Sequence, residues 1–377
     1  MRNGYFEDYK PIFVMVGLEI IYAALSLLGK VALAQGMSAK VLVVYRQGLA
    51  TLALAPVAYC SHRRNNSEVA LGMKSFSLLF LAALLGTTLN QYFYFLGLHL
   101  GSAALATAMI NLIPAITFIM AASLGLEKVS LRSSRSIAKI GGTILCVGGA
   151  MAMALLKGPK LLGMVLWISN APHDVQGAGE DWVMGCVFLL GSCCCWSLWL
   201  ILQVPISKCC SGPVSMAAWM CFLGFLQSAV LTFFLEPDSR AWRLGSSLQI
   251  FYCIYAGIVG TGVSVYVQAW CVSKRGPLFT AMFNPLCTVI TTIFGFFLLH
   301  EELHLGSLAG AICVVVGLYI VLWGKAQGVH TQREQIMGEA QDVHSTAGTF
   351  GLEDPLLVDG GQDTIEGNKL NTSKARN

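Results

Sequence analysis

The sequence has little charge. Only 12% of its 377 residues are Asp, Glu, Lys or Arg, whereas charged residues make up about 25% of soluble domains. Apolar residues make up 55% of the chain, and the mean hydropathy is +0.66. This composition excludes a water-soluble enzyme. The net charge of +4 comes from scattered basic residues that form no basic face, so no nucleic-acid partner is expected.

Patterns that support catalysis or cofactor binding are also missing. No Gly-rich loop precedes a lysine, and no Ser, His and acidic groups lie together on neighbouring apolar segments. Most of the 13 cysteines lie in or at the ends of apolar runs, without metal-ligand spacing. There they are expected to pack as small apolar residues. The sequence therefore predicts no catalytic residue, no metal site and no cofactor, and a protein that is not an enzyme.

Long apolar runs are present instead. A helix needs about 20 apolar residues to cross the core of a bilayer. Ten such runs occur, at roughly 11–34, 40–60, 76–98, 101–124, 136–156, 182–203, 213–235, 247–271, 276–299 and 304–324. They predict an all-α integral membrane protein with ten transmembrane helices, embedded in the lipid bilayer. The first run lacks a small-residue cleavage site, so we interpret it as a retained helix.

The basic residues predict the orientation of these helices. Of the 24 Lys and Arg residues, 17 fall on the termini and the loops of one side, and five fall on the opposite side. The positive-inside rule therefore places both termini in the cytosol. After Trp323 the composition changes, since residues 325–377 hold eight of the 20 acidic residues and few aromatic ones. This composition predicts a disordered cytosolic tail.

An internal repeat relates the two halves of the chain. Ala108-Met109-Ile110-Asn111 corresponds to Ala281-Met282-Phe283-Asn284, and a proline follows each match. An acidic turn comes later in both halves, and then a helix with two glycines seven residues apart, Gly142 and Gly149 or Gly310 and Gly317. Each half has five spans, and because five is odd the second half is predicted to be inverted. Inverted repeats are typical of alternating-access transporters with a site between the repeats.

Polar side chains inside the spans are the candidate substrate-binding residues. Glu19, Tyr22, Ser26 and Lys30 fall within about 60° of one face of the first helix. Ionisable groups at such depth usually face a cavity or a partner, although Lys30 also has the length to reach the outer interface. Arg46 is suited either to a substrate carboxylate or to a lipid phosphate. The other candidates are Asn90, Gln91, Tyr94, Asn111, Trp196, Tyr266, Gln268 and Asn284.

Three stretches resemble a known family. They are GKVALAQGMSAKVLVVYRQGLATLALAPVAY (29–59), NQYFYFLGLHLGSAALATAMINLIPAITFIMA (90–121) and, most specifically, GTGVSVYVQAWCVSKRGPLFTAMFNPLCTVITTIFGFFLLHEELHLGSLAGAICVVVGLYIVLWGK (260–325). In these segments the chain resembles the plant walls-are-thin-related, nodulin-like transporters (the UMAMIT group), which consist of EamA domains. The resemblance runs in order over about residues 11–325. The family's patterned positions correspond here to Lys30, Arg46, Gln91, Asn111, Tyr266, Gln268, Trp270 and the turn Lys274-Arg275-Gly276-Pro277.

The resemblance implies the drug/metabolite transporter fold, with two inverted five-helix EamA repeats. The organisation we expect is a cytosolic N terminus (1–10), a first EamA repeat (11–156), an extracytosolic linker (157–181), a second EamA repeat (182–324) and the tail (325–377). Family members transport amino acids or, in one branch, auxin. This chain departs from the family at Glu19, in a segment that is often rich in Gln or Gly. Because Glu19 carries a carboxylate, protons are candidate partners whose movement is coupled to transport.

We therefore expect a secondary transporter or facilitator that moves amino acids or a related small organic acid by alternating access. Two alternatives remain at this stage: an auxin transporter of the same family, and a membrane receptor or scaffold that transports nothing. The plasma membrane is the expected location, and the vacuolar membrane is the alternative.

Overall fold

The computed structural model describes residues 2–65, 72–101, 103–127, 134–155, 179–209, 212–299 and 308–324. Within these ranges the chain is helical, and no strand occurs. Residues 157–178 of the predicted linker and the predicted tail lie outside the described residues.

Nine helical segments of the described chain are long and apolar enough to cross a membrane, and a shorter apolar helix follows them. The first half comprises α1 (Arg2–Ala34), α2 (Ala39–Asn65), α3 (Met73–Ala83), α4 (Asn90–Leu100), α5 (Ala103–Ile110), α6 (Ile113–Ser123) and α7 (Ser134–Leu155). The second half comprises α8 (Gly179–Cys209), α9 (Pro213–Leu235), α10 (Ser247–Gly257), α11 (Ser264–Arg275), α12 (Pro277–Ala281), α13 (Asn284–Leu299) and α14 (Leu308–Gly324). The prediction of an all-α membrane protein is confirmed.

The third span of each half contains a π-helical turn. Leu84–Leu89 joins α3 to α4, and Ile258–Val263 joins α10 to α11. A π-helical turn frees carbonyl groups from the α-helical pattern, and such turns are frequent at functional sites. In the second half two hydroxyls bind these carbonyls, since Thr261 Oγ1 donates to Ala256 O at 3.0 Å and Ser264 Oγ donates to Val259 O at 3.2 Å.

The fourth span of each half is broken at the repeated motif. The first break lies at Asn111 and Leu112 between α5 and α6, and the second lies at Met282 and Phe283 between α12 and α13. Pro114 and Pro285 lie just beyond the breaks and have no N–H to continue the helical pattern. The two halves thus share their helix order and their interruptions, in agreement with the predicted repeat.

The repeats exchange their first helices. Helix α1 packs on α10, α11 and α13 of the second half, whereas α8 packs on α3, α4 and α6 of the first half. Each first helix therefore lies against helices of the opposite repeat, and the interface between the repeats passes through the middle of the bundle. This packing brings α1 to the two interrupted spans of the second half.

The last helices of the two repeats pack through the glycine pairs. A Cβ atom placed on Gly149 would lie 2.8 Å from Gly310 O, and one on Gly317 would lie 2.8 Å from Gly142 O. The backbones of α7 and α14 are therefore in direct contact. Small residues allow such close packing inside membranes, where van der Waals contact is a main source of helix association.

Candidate functional site

Tyr22 and Gln268 join α1 to α11. Gln268 Nε2 donates to Tyr22 Oη at 2.8 Å. The Gln268 side chain is 2% exposed, and its Oε1 atom is buried without a hydrogen-bond partner. A buried acceptor without a partner costs about 1–3 kcal/mol. The interface between the repeats thus holds an unused hydrogen-bond acceptor.

Asn111 and Thr288 join the break in the fourth span to α13. Thr288 Oγ1 donates to Asn111 Oδ1 at 3.1 Å. Asn111 is fully buried, and its Nδ2 atom has no hydrogen-bond partner. This amide supplies an unused donor, again at a contact between the two repeats.

Glu19 lies one helical turn before Tyr22 on α1. The residue is 1% exposed, and neither carboxylate oxygen has a hydrogen-bond partner. The Tyr22 phenol and the Cys287 thiol of α13 lie within electrostatic range of it. Burying a charge in a protein interior costs several kcal/mol unless a partner offsets it. The ionised form of Glu19 therefore needs a cationic partner that these neighbours do not supply.

Glu19, Tyr22, Asn111, Gln268 and Thr288 together are called the central polar cluster below. Arg46 of α2 lies beside it, within electrostatic range of Tyr22 and of Tyr252 on α10. The Arg46 side chain is half-buried, and its Nε atom is buried without a hydrogen-bond partner. An unpaired donor of Arg46 therefore lies near Tyr22.

The cluster offers both kinds of recognition that a zwitterion requires. The Glu19 oxygens and Gln268 Oε1 are unpaired acceptors, and Asn111 Nδ2 and the neighbouring Arg46 Nε are unpaired donors. Hydrogen bonds to ionised groups are about twice as strong as those between neutral groups. A few unsatisfied polar groups within apolar surroundings are typical of small-molecule sites.

Asn90 and Trp196 belong to a separate contact between α4 and α8. Asn90 Nδ2 donates to Ser192 O at 2.9 Å and to Ser192 Oγ at 3.1 Å. The centroid of the Trp196 ring lies 4.8 Å from that of the Trp199 ring, and Trp199 packs directly on Gly86, where an added Cβ atom would clash with Trp199 Cδ1. The amide nitrogen of Asn90 is thus used in the contact between α4 and α8.

The remaining candidates lie at different depths. Gln91 and Tyr94 of α4, Tyr266 of α11 and Asn284 at the start of α13 are half-buried, whereas Ser26 is exposed. Lys30 belongs to α1, and its side chain lies outside what the structure describes. Gln91 lines a cavity that does not reach the central polar cluster.

Sequence patterns mark some residues of the interior and not others. Cys287 next to Glu19 carries no sequence signal, because free cysteines are common in apolar helices. Gln203 of α8 is fully buried, and neither of its amide atoms has a partner. Its signal is the spacing of Ser192, Trp196 and Gln203 along one helix face. The two π-helical turns share a Gly-Thr pair, at residue 86 in the first half and at residue 260 in the second, but this pair also fits an ordinary α-helical turn.

Comparisons with known proteins agree with this architecture. The model of the EamA-like transporter family matches the chain twice, at residues 9–155 and 183–323. A WAT1-related protein of Arabidopsis thaliana is 47% identical over 325 residues, which cover 85% of this chain and 87% of that protein. Protein WALLS ARE THIN 1 of Arabidopsis thaliana is 38% identical over 330 residues, covering 85% and 84%. A solved crystal structure covers 83% of this chain and 97% of its own, with 16% identity and a TM-score of 0.58, which supports the fold alone.

Proposed function

Since the chain belongs to the EamA-like transporter family and, within it, to the plant walls-are-thin-related proteins, it is a membrane transporter, and we propose that it carries amino acids. The observation behind this proposal is the set of unpaired donors and acceptors in and beside the central polar cluster. Glu19 and Gln268 Oε1 would bind the ammonium group of the substrate. Asn111 Nδ2 and Arg46 would bind its carboxylate.

The position of the cluster supports alternating access. Two hydrogen bonds of the cluster, Gln268 to Tyr22 and Thr288 to Asn111, cross from one repeat to the other. Relative movement of inverted repeats exposes a site at their interface first to one side of the membrane and then to the other. Bound substrate would form hydrogen bonds with unpaired atoms of both repeats. It would therefore stabilise the closed conformation that lies between the two open states.

Flux measurements test the proposed site. We expect purified protein in liposomes to show saturable amino-acid uptake. Asn111→Ala and Gln268→Ala should each lower the ratio of the maximal uptake rate to Km about tenfold, which is the effect of losing one charge-assisted hydrogen bond. Gln227→Ala is the matched control, because this half-buried glutamine of α9 already bonds to Thr88 and to Phe80 O. Wild-type flux in both cluster variants would remove the cluster from the transport path.

The same measurements separate the other substrate classes. An indole acid such as auxin has a carboxylate but no ammonium group, so Glu19 would lack a partner on such a substrate. Saturable indole-acid uptake without amino-acid uptake would therefore assign the auxin class. Thermal stabilisation by an amino acid without any flux would indicate a receptor instead.

We also propose that both termini lie in the cytosol and that the protein is in the plasma membrane, with the vacuolar membrane as the alternative. The excess of basic residues on the side of the termini supports this orientation. Epitope tags at either end should bind antibody only after the cells are permeabilised. A tag at the N terminus that is detected on intact cells would reverse the orientation.

A further inference from the structure

A second space lies between α2, α4 and α9. The cavity has a volume of about 410 Å³, and no residue of the central polar cluster lines it. It extends from the helix ends at Lys40, His99 and Leu235 to Thr87 on the π-helical turn of the third span. Its walls come from both repeats, so its shape depends on how the repeats are arranged.

An ion pair joins the two repeats at the rim of this cavity. Lys40 Nζ lies 2.9 Å from Glu236 Oε2, with Lys40 43% and Glu236 25% exposed. Lys40 is in the first turn of α2, and Glu236 follows the last residue of α9. Because Lys40 both lines the cavity and binds Glu236, a ligand in the cavity has access to a lysine whose present partner belongs to the other repeat.

Two further contacts close the same end of the bundle. Tyr45 Oη donates to Trp242 O at 2.6 Å, and the two rings meet edge to face with centroids 6.2 Å apart. Gln249 Nε2 donates to Gln35 O at 3.2 Å. With the ion pair, they hold the start of α2 against the loop between α9 and α10, and the start of α10 against the turn between α1 and α2. An alternating-access cycle that opens this end has to separate these elements.

We propose that the cavity is an entry site for an organic carboxylate with an apolar body, and that the ligand's carboxylate displaces Glu236 from Lys40 and so releases this closure. The proposal rests on the transport function proposed above and adds a second site to it. On the orientation proposed there, the entry site faces the extracytosolic side.

The lining of the cavity supports this ligand class. Phe95, Leu231 and Leu235 provide apolar walls, whereas Gln91 and Thr87 provide an amide and a hydroxyl deeper in the cavity. The volume lies within the range of about 300–1,000 Å³ that is typical of small-molecule sites. Lys40 at the rim favours an anionic group and disfavours a simple cation. When the ligand's carboxylate takes the place of the Glu236 carboxylate, Lys40 stays paired, so Lys40 loses little Coulomb energy.

The two partners of the ion pair should respond in opposite directions. Lys40→Met removes the cation that the ligand requires, and we expect the Km for L-phenylalanine uptake to rise about tenfold. Glu236→Gln removes the competing carboxylate, and we expect that Km to fall. If the ion pair only holds the fold together, both substitutions will shift Km in the same direction or leave it unchanged, and this result would overturn the proposal.

Filling the cavity is an independent test. Leu231→Trp should raise the Km for L-phenylalanine, because the larger ring occupies the space beside Phe95. Val230→Trp is the matched control on α9, since Val230 is 59% exposed and does not line the cavity. Phenethylamine, which lacks the carboxylate, should not compete with L-phenylalanine for entry. Equal effects of the two tryptophan variants would contradict the assignment.

Binding to the purified full-length protein separates this proposal from the transport function. L-phenylalanine and indole-3-acetate are added separately to wild type and to Lys40→Met, and thermal stabilisation is measured. We expect wild type to be stabilised more than Lys40→Met by at least one of them, whether or not the liposomes show flux. If wild type is stabilised more than Lys40→Met but the liposomes show no flux, the transport function is refuted and the entry site is not. Equal stabilisation of both proteins, or none, would refute the entry site.

Discussion

Replacing Gly149 with valine is expected to cause the largest loss of stability. A Cβ atom at this position would lie 2.8 Å from Gly310 O and 3.0 Å from Val314 N, so the new side chain meets backbone atoms of α14. Overpacking of a protein interior usually costs about 1–3 kcal/mol. Backbone atoms cannot rotate away as a flexible side chain does, so we expect the upper end of this range. Thermal unfolding of the detergent-purified protein measures the effect.

The neighbouring glycine is the control. Gly148 is exposed, and no atom lies within 4 Å of a Cβ placed on it. Gly148→Val adds the same side chain to the same helix, so any general cost of a β-branched residue is shared by both variants. If the two variants unfold at the same temperature, close packing of α7 on α14 does not stabilise the protein.

Replacing Glu19 with glutamine is expected to uncouple transport from a proton gradient. The buried carboxylate has no hydrogen-bond partner on either oxygen. Uptake of a proton removes its charge but leaves its carbonyl oxygen as an acceptor for the substrate's ammonium group. If each substrate is carried with one proton, a pH difference of one unit supports up to about tenfold accumulation. We expect wild type to accumulate substrate under an inwardly directed proton gradient. Glu19→Gln should equilibrate substrate without accumulation and should retain exchange.

The surroundings of Glu19 provide the control for this measurement. Among the described residues, Tyr22 on its own helix and Cys287 on α13 lie within electrostatic range of Glu19, and Arg46 on α2 lies within range of Tyr22 and of Tyr252 on α10. Cys287→Ser retains a polar group of similar size and should keep proton-driven accumulation. Accumulation that persists in Glu19→Gln would show that another group carries the proton or that transport is not coupled to it.

Several elements of the fold were predictable because they depend on local sequence. The bilayer sets the length of an apolar run that can cross it, so runs such as 213–235 coincide with a helix, Pro213–Leu235. The break in the fourth span was marked by Asn111 and Pro114, since proline cannot continue the helical hydrogen bonds. The π-helical turns were missed, because Gly-Thr in an apolar helix is compatible with an ordinary α-helical turn.

The candidate site was predictable only in part. Glu19, Tyr22 and Gln268 were expected from polar groups in apolar helices, and the structure brings them to the interface between the repeats. Asn90 was expected from the same pattern, yet its amide bonds to Ser192 in helix packing. Helical spacing shows that a polar group shares a face with others. It does not show whether a neighbouring helix will satisfy that group.

The sequence by itself determined the membrane-spanning class and the five-and-five repeat. Each of these depends on run length, composition or backbone chemistry within a single span. Only the tertiary structure decided which spans adjoin, since lipid and a neighbouring helix are both apolar and select the same residues. Thr288 and Asn111 are 177 positions apart, and Lys40 and Glu236 are 196 apart. The unpaired atoms of the central polar cluster and the ion pair at the cavity rim arise from these long-range contacts, which local sequence patterns do not encode.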